Sequence, residues 1–176
     1  WLIINKLISK KVDYSLNISS HKNNIMDKEQ FKSIVHSIMK ANGFRRRGNS
    51  WYKTIGECIV LLNLQHSNWS SLYYINLACF LRKTDPLLLF PQEYKCPIRW
   101  RIPNNGKHGE SYHDITDLEN NMNDRDREEG IENILNDYCI PALNKVGVMY
   151  GVELREDDGS YSPLLDYENI LNGNNC

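Results

Sequence analysis

Two groups of polar residues in this sequence have the types and spacing to bind a ligand. The first is the run Arg45, Arg46 and Arg47 inside the segment "GFRRRGNSWYK". Guanidinium groups bind carboxylates and phosphates, and the nearby Trp51 and Tyr52 carry rings of the kind on which bases stack. The segment is therefore either a site for an acidic protein or nucleic acid, or the place where a helix ends and a strand begins.

The second group depends on how two apolar segments, 58–66 and 72–81, pair with each other. Both are rich in β-branched, aromatic and apolar residues and are bounded by turn formers, which predicts neighbouring antiparallel strands. Pairing Leu64 with Ile75 makes one face of both strands wholly apolar, whereas a slip of one residue would mix the two faces. We therefore predict this register.

The predicted register gathers amide side chains on the opposite face. Asn63 then lies opposite Asn76, and Gln65 lies opposite Tyr74. An unpaired buried polar group costs roughly 1–3 kcal/mol. The group is therefore either a self-satisfied hydrogen-bonded patch or the floor of a groove that presents uncharged donors and acceptors. Positive charge at the edge of such a groove would come from Arg99 and Arg101.

Other chemistry has no matching pattern in the sequence. Cys96, His108, His113 and Cys139 are loosely grouped soft ligands, but their spacing matches no zinc motif. The sequence has neither a Gly-x-Ser-x-Gly elbow nor a glycine-rich phosphate motif. We expect no metal and no cofactor, and the question of an enzyme stays open with a preference against it.

The elements that hold these residues begin with a helix after Asp27. Asp27 and Gln30 have the spacing of a capping box, and Gly43 is suited to end the helix. An apolar stripe follows at helical spacing, comprising Phe31, Ile34, Val35, Ile38 and Met39.

Strands are then predicted over 50–55, 58–66, 72–81 and "IRWRI", followed by a second helical region with Pro141 at a kink or a new start. After Gly147, "VMYGVEL" is expected to be a separate short element. The predicted fold class is α+β, with an antiparallel sheet of about four or five strands and helices packed on one face.

Charge, cysteine spacing and apolar run lengths bear on the kind of partner and on the cellular compartment. The formal net charge of −1 gives no overall reason to seek nucleic acid or an anionic membrane, and the five cysteines contain no CxxC pair. No apolar run approaches the ~20 residues that cross a bilayer. We expect a cytoplasmic bacterial protein with an extension over 1–25 (a tag, translated upstream sequence or a disordered segment), one α+β domain over 26–156, and a partly disordered polar tail over 157–176.

The chain from about residue 28 to 154 resembles the bacterial family catalogued as domain of unknown function 4304. The likeness is carried by the segments "GFRRRGNSWYK", "LNLQHSNW", "YYINLACF" and "CPIRWRI". The resemblance implies a small α+β fold and no particular activity. Small α+β domains of this general type include immunity proteins that neutralise bacterial toxins, which is an analogy of fold and size.

These observations favour a non-catalytic protein-binding module, with an immunity-type role as one form of it and a toxin or another acidic protein as its partner. The first alternative is a small enzyme, a hydrolase or a nucleotide-modifying protein, with its site on the amide-bearing face. The second is nucleic-acid binding through the arginine run, which the balanced charge makes less favoured. The sequence does not assign an oligomeric state.

Overall fold

The computed structural model describes residues 26–107 and 109–153. The predictions for 1–25 and for 157–176 lie outside the described residues. The described elements are α1 (Lys28–Ala41), β1 (Arg45–Arg47), β2 (Ser50–Ile55), β3 (Cys58–His66), β4 (Tyr73–Leu81), a 3-10 turn (Glu93–Lys95), β5 (Ile98–Arg101), α2 (Tyr112–Thr116), α3 (Asp124–Asn133), a π-helical segment (Ile134–Cys139) and α4 (Ile140–Glu153).

Helix α1 begins and ends as the sequence predicts. The Asp27 carboxylate accepts from the backbone N–H of Gln30 at 2.8 Å, and the Gln30 side chain accepts from the Asp27 N–H at 2.8 Å. This reciprocal pair satisfies two N–H groups that the first helical turn leaves free. At the other end, Gly43 has a φ of 83°, which turns the chain out of the helix.

The five strands form one antiparallel sheet in the order β1-β2-β3-β4-β5. The predicted register of β3 and β4 is confirmed, because Leu64 pairs with Ile75 and Asn63 pairs with Asn76. One strand differs from expectation. The arginine run, predicted as a boundary between helix and strand, is itself the edge strand β1, joined to β2 by a two-residue turn in which Gly48 has a φ of 61°.

The helices pack on one face of the sheet, as predicted, and enclose the main core. That face contributes Trp51, Val60, Leu62, Leu77 and Cys79, all with no exposed surface. The opposite face is covered in part by the connection between β4 and β5. Three side chains of that connection, Leu88, Phe90 and Cys96, pack on this face. The sheet residues beneath them are Tyr52, Ile59, Leu61, Ala78 and Phe80.

The C-terminal helical region is longer than the sequence indicates. The π-helical segment lies between α3 and α4 and ends two residues before Pro141, and α4 continues through Gly147 to Glu153. The separate element expected after Gly147 is therefore wrong. Gly147 instead lets the helix approach β2 closely, because an added Cβ would lie 2.9 Å from Cβ of Ile55. No helix within the described ranges has the length and apolar character to cross a membrane.

Candidate functional site

One row of side chains crosses the whole sheet on the face away from the helices. The register pairs Arg47 with Ser50, Ser50 with Asn63, Asn63 with Asn76, and Asn76 with Arg101. Residues paired in this way share a face of the sheet. The row therefore carries an arginine at each end and polar uncharged side chains between them. Four steps of about 4.8 Å place its ends about 19 Å apart at the backbone.

A second row runs beside the first and also has an arginine at each end. Arg45 pairs with Tyr52, Tyr52 with Leu61, Leu61 with Ala78, and Ala78 with Arg99. The two rows together place an arginine pair at each edge of the sheet. We call this surface, formed by Arg45, Arg47, Ser50, Asn63, Gln65, Tyr74, Asn76, Arg99 and Arg101, the arginine–amide face.

Arg46 does not belong to this surface. It pairs with Trp51 on the helix side of the sheet, its guanidinium carbon lies 5.2 Å from the Trp51 ring centre, and its Nε donates to Gly48 O at 2.9 Å. Eight of the nine residues predicted for binding are thus brought to one face, and Arg46 is the exception. The reason is the alternation of side chains along a strand.

The amides form a hydrogen-bonded network with Arg101. Asn76, which is 5% exposed, donates from Nδ2 to Gln65 Oε1 at 3.1 Å and accepts at Oδ1 from Arg101 Nε at 3.0 Å. Arg101 Nη2 also donates to Gln65 Oε1 at 3.1 Å. The guanidinium is therefore held in place by two amides. This satisfies the buried Asn76 and fixes the direction of an exposed charge.

Polar atoms remain available beside this network. Asn63 donates from Nδ2 to Ser50 Oγ at 2.8 Å, while its Oδ1 accepts no hydrogen bond from the described residues. The Nε2 of Gln65 likewise donates to none of them. The face is thus both a self-satisfied patch and a surface with a free acceptor and a free donor, which are the two groups that a peptide bond pairs with.

The charged residues that the two sheet rows contribute to this face are all arginines. Among the described sheet residues of both rows there is no aspartate or glutamate. Arg45 and Arg99 are exposed, and neither side chain forms a hydrogen bond or ion pair with any described residue. Unpaired exposed arginines at both edges give the face a positive potential although the chain as a whole is nearly neutral.

Aromatic rings on and behind the face are already occupied. Trp51 has no exposed surface and lies on the helix side. Tyr52, 9% exposed, packs edge-on against Phe90, and the Arg47 guanidinium carbon lies 4.9 Å from the Phe90 ring centre. The Tyr74 ring lies under Arg101. The residues expected to stack bases therefore present no open ring here.

Three titratable groups with shifted pKa values, Cys96, Tyr112 and Cys139, form no hydrogen bond with the amides. Burial raises the pKa of Cys139, and burial with the nearby Glu93 raises the pKa of Cys96 to about 12. Burial also raises the pKa of Tyr112 to about 12, and Tyr112 lines a hollow of 30 Å³ that also touches Arg101. That volume is far below the range of about 300–1,000 Å³ that is typical of ligand pockets. Within the described ranges, no three His, Cys, Asp or Glu side chains group around a metal position.

A larger cleft lies at the β1 edge of the arginine–amide face. Its volume is 410 Å³, and the lining residues Arg45 and Leu89 are exposed. The residues that line it are Gly43, Arg45, Tyr52, Lys53, Thr54, Ile59, Leu89 and Phe90.

Comparison with known proteins agrees with the resemblance in the sequence. The family model described as Domain of unknown function (DUF4304) matches residues 35–145, which is more than half of the chain and includes the whole sheet. This chain belongs to the DUF4304 family. No curated protein matches it, and no solved structure matches it. The family description names no activity, so the arginine–amide face is the basis for a functional proposal.

Sequence reasoning missed several residues of this region. Ser50 follows from the β2–β3 register and could have been found by extending the strand pairing across the turn at Gly56. Phe90 and Leu89 belong to a connection without regular structure, and no periodic pattern indicates which side of the sheet it covers.

Proposed function

We propose that this DUF4304 domain is a non-catalytic binding module that recognises an acidic, extended segment of another protein on the arginine–amide face. The observation that carries the proposal is the pair of arginines at each sheet edge, about 19 Å apart across an uncharged amide floor. An extended peptide of about six residues covers that distance. Acidic side chains near both of its ends would meet Arg45 and Arg47 at one edge and Arg99 and Arg101 at the other.

The amide floor supports an extended peptide in particular. Asn63 Oδ1 and Gln65 Nε2 offer one acceptor and one donor without a described partner. A peptide backbone brings one donor and one acceptor per residue and is satisfied by such a pair. Arg101 is held by Asn76 and Gln65 before a partner arrives, so less side-chain freedom is lost on binding.

A protein partner is favoured over nucleic acid by the state of the aromatic rings on and behind the arginine–amide face, whereas the exposed Trp69 and Tyr94 lie outside the residues that define it. Sequence-tolerant binding of single strands uses open rings on which bases stack. Trp51 and Tyr52 are buried, and the Tyr74 ring is covered by Arg101. An enzyme is less favoured because Cys96 and Cys139, whose pKa values are raised, form no hydrogen bond with the amides and are buried in the two apolar clusters. An immunity-type role, with a toxin as the acidic partner, is one form of this proposal.

Fluorescence anisotropy on the full chain tests the proposal with three labelled probes. These are an extended peptide of alternating glutamate and glycine, its glutamine twin, and a single-stranded oligothymidine. The variants are R45Q/R47Q and R99Q/R101Q, one for each edge, with R46Q as the matched control because Arg46 lies on the other face. Circular dichroism confirms that each variant folds.

We expect the glutamate peptide to bind and the glutamine twin to bind far more weakly. Each double variant should weaken binding by at least about tenfold, because charge-assisted hydrogen bonds contribute about 1.5–3 kcal/mol and 1.4 kcal/mol is tenfold. R46Q should change the affinity by less than about twofold. Tight binding of the oligothymidine alone would replace this proposal with nucleic-acid binding. Equal loss in R46Q and in the edge variants would refute the role of this face.

A further inference from the structure

Thr54, one of the residues that line the cleft at the β1 edge, has backbone groups that the sheet leaves unpaired. Leu64 N donates to Asn49 O at 2.9 Å, so alternate residues of β2 from position 49 onward bond to β3. Thr54 falls between them and directs its N–H and C=O to the β1 side. Strand β1 begins at Arg45, which pairs with Tyr52, so β1 does not reach Thr54. Neither backbone group of Thr54 has a hydrogen-bond partner among the described residues.

Positive charge lies next to this free N–H. Arg45 lines the cleft and is exposed, and its side chain forms no hydrogen bond or ion pair with the described residues. Lys53 also lines it. Its side chain leaves β2 on the helix side, where Nζ lies 3.3 Å from Asn144 Oδ1 and 5.4 Å from the Phe44 ring centre, so Arg45 is the cation that we assign to the cleft. Arg45 and Thr54 both line the cleft, and a guanidinium and a backbone N–H are donors that carboxylates prefer.

The rest of the cleft is apolar. Tyr52 and Ile59 are 9% and 2% exposed and form its floor with Phe90, while Leu89, 62% exposed, forms one side. The volume of 410 Å³ is within the range of about 300–1,000 Å³ that is typical of ligand pockets. An apolar floor beside a cationic edge selects a ligand that is apolar on one side and negatively charged on the other.

We propose that this cleft binds a carboxylate carried next to an apolar side chain, as at the free C-terminus of a peptide that ends in leucine. The carboxylate lies between the Arg45 guanidinium and the Thr54 N–H, and the apolar side chain rests on Tyr52, Ile59 and Phe90. As a description of the partner, this inference rests on the proposed binding function. The same chemistry is present in a small branched-chain organic acid, and the test separates the two sources.

The test uses ¹⁵N NMR titration of the full chain with three probes. Acetyl-Gly-Leu has a free carboxylate, its C-terminal amide twin does not, and 4-methylpentanoate is the small acid alone. The observable is the backbone amide signal of Thr54. The chain offers two matched controls. L89D places a negative charge at the cleft, whereas L87D alters the same residue type in the same connection outside the lining residues. R45Q removes the cation, and R46Q removes a neighbour on the other face.

We expect acetyl-Gly-Leu to shift the Thr54 signal and to bind at least about tenfold more tightly than its amide twin. L89D and R45Q should each weaken binding by about tenfold, and L87D and R46Q by less than about twofold. Equal binding of acid and amide, or no binding of either acid, would overturn the inference. Binding of 4-methylpentanoate without acetyl-Gly-Leu would support the carboxylate site and overturn a peptide as its source.

The R99Q/R101Q variant distinguishes this inference from the proposed function. It removes both positive charges at the β5 edge of the arginine–amide face and leaves the residues that line the cleft unchanged. Binding of acetyl-Gly-Leu to this variant with unchanged affinity supports a cleft that works independently of the acidic-segment proposal. Loss of that binding in a folded R99Q/R101Q variant would contradict the assignment of the ligand to the cleft.

Discussion

The guanidinium carbon of Arg101 lies 4.1 Å from the centre of the Tyr74 ring. The same guanidinium donates to Asn76 and Gln65, so an exposed side chain on a short edge strand is held by a ring and two amides. Arg99, two residues earlier on the same strand, is exposed and makes no such hydrogen bonds. The face thus carries one oriented and one free arginine at this edge.

This difference predicts a measurable coupling between Asn76 and Arg101. Asn76→Ala should lower the free energy of unfolding by about 1–2 kcal/mol, because a buried amide and the hydrogen bond to a charged group are lost. In a double-mutant cycle in urea, N76A and R101M should couple by about 0.5–1.5 kcal/mol. The pair N76A and R99M is the control and should be additive within about 0.5 kcal/mol. Equal coupling in both cycles would contradict the network.

A second prediction concerns Arg127, which is 1% exposed and has no ion pair with a described residue. Its Nη1 donates to the carbonyls of Ile115 and Asp117 at 2.7 and 2.8 Å, and its Nη2 donates to Asn120 O at 2.8 Å. Burial lowers its pKa. The guanidinium of Arg127 therefore holds the segment that follows α2 against the first turn of α3.

Arg127→Met should lower the free energy of unfolding by about 3–5 kcal/mol, because it leaves several carbonyl groups without a donor. The matched control is Arg125→Met on the exposed side of α3, which should change it by less than about 0.5 kcal/mol. Urea unfolding followed by circular dichroism measures both. A loss below about 1 kcal/mol in R127M would show that water replaces the guanidinium.

A third prediction concerns stability at alkaline pH. Burial, with the charge of Glu93, raises the pKa of Cys96 from the ordinary 9.0 to about 12, so the folded protein keeps the thiol protonated where the unfolded chain releases the proton. Stability from this group is complete below about pH 9 and falls as the pH rises toward the folded value. The loss approaches about 1.4 kcal/mol per pH unit in that window.

Urea unfolding between about pH 8 and pH 10.5 tests this for the native chain and for Cys96→Ala. The variant lacks the titrating thiol, so its stability should fall less steeply above about pH 9. Tyr112 also has a pKa raised to about 12 by burial, and it should titrate in both proteins. Parallel curves for the two proteins would contradict the raised pKa of Cys96.

Local patterns in the sequence were sufficient for α1, for strands β2 to β5 and for one strand pairing. The capping box of α1 needs only Asp27 and Gln30 at the correct spacing, since both partners lie within one helical turn. The β3–β4 register follows from alternation, because a slip of one residue would bury polar side chains. Alternation within these two strands is also enough to place Asn63 opposite Asn76.

Only the tertiary structure shows that the residues of the site lie together on one surface. Arg47 and Arg101 share a face only because four consecutive strand pairings transmit the register from one edge of the sheet to the other. The run at 45–47 is too short for its own pattern to indicate a strand, and its pairing with β2 separates Arg46 from its neighbours. The cleft depends further on an irregular connection that places Leu89 and Phe90 beside β2. Contacts between residues far apart in the chain carry no periodic signal, so only the folded chain shows which charges lie together and which backbone groups stay free.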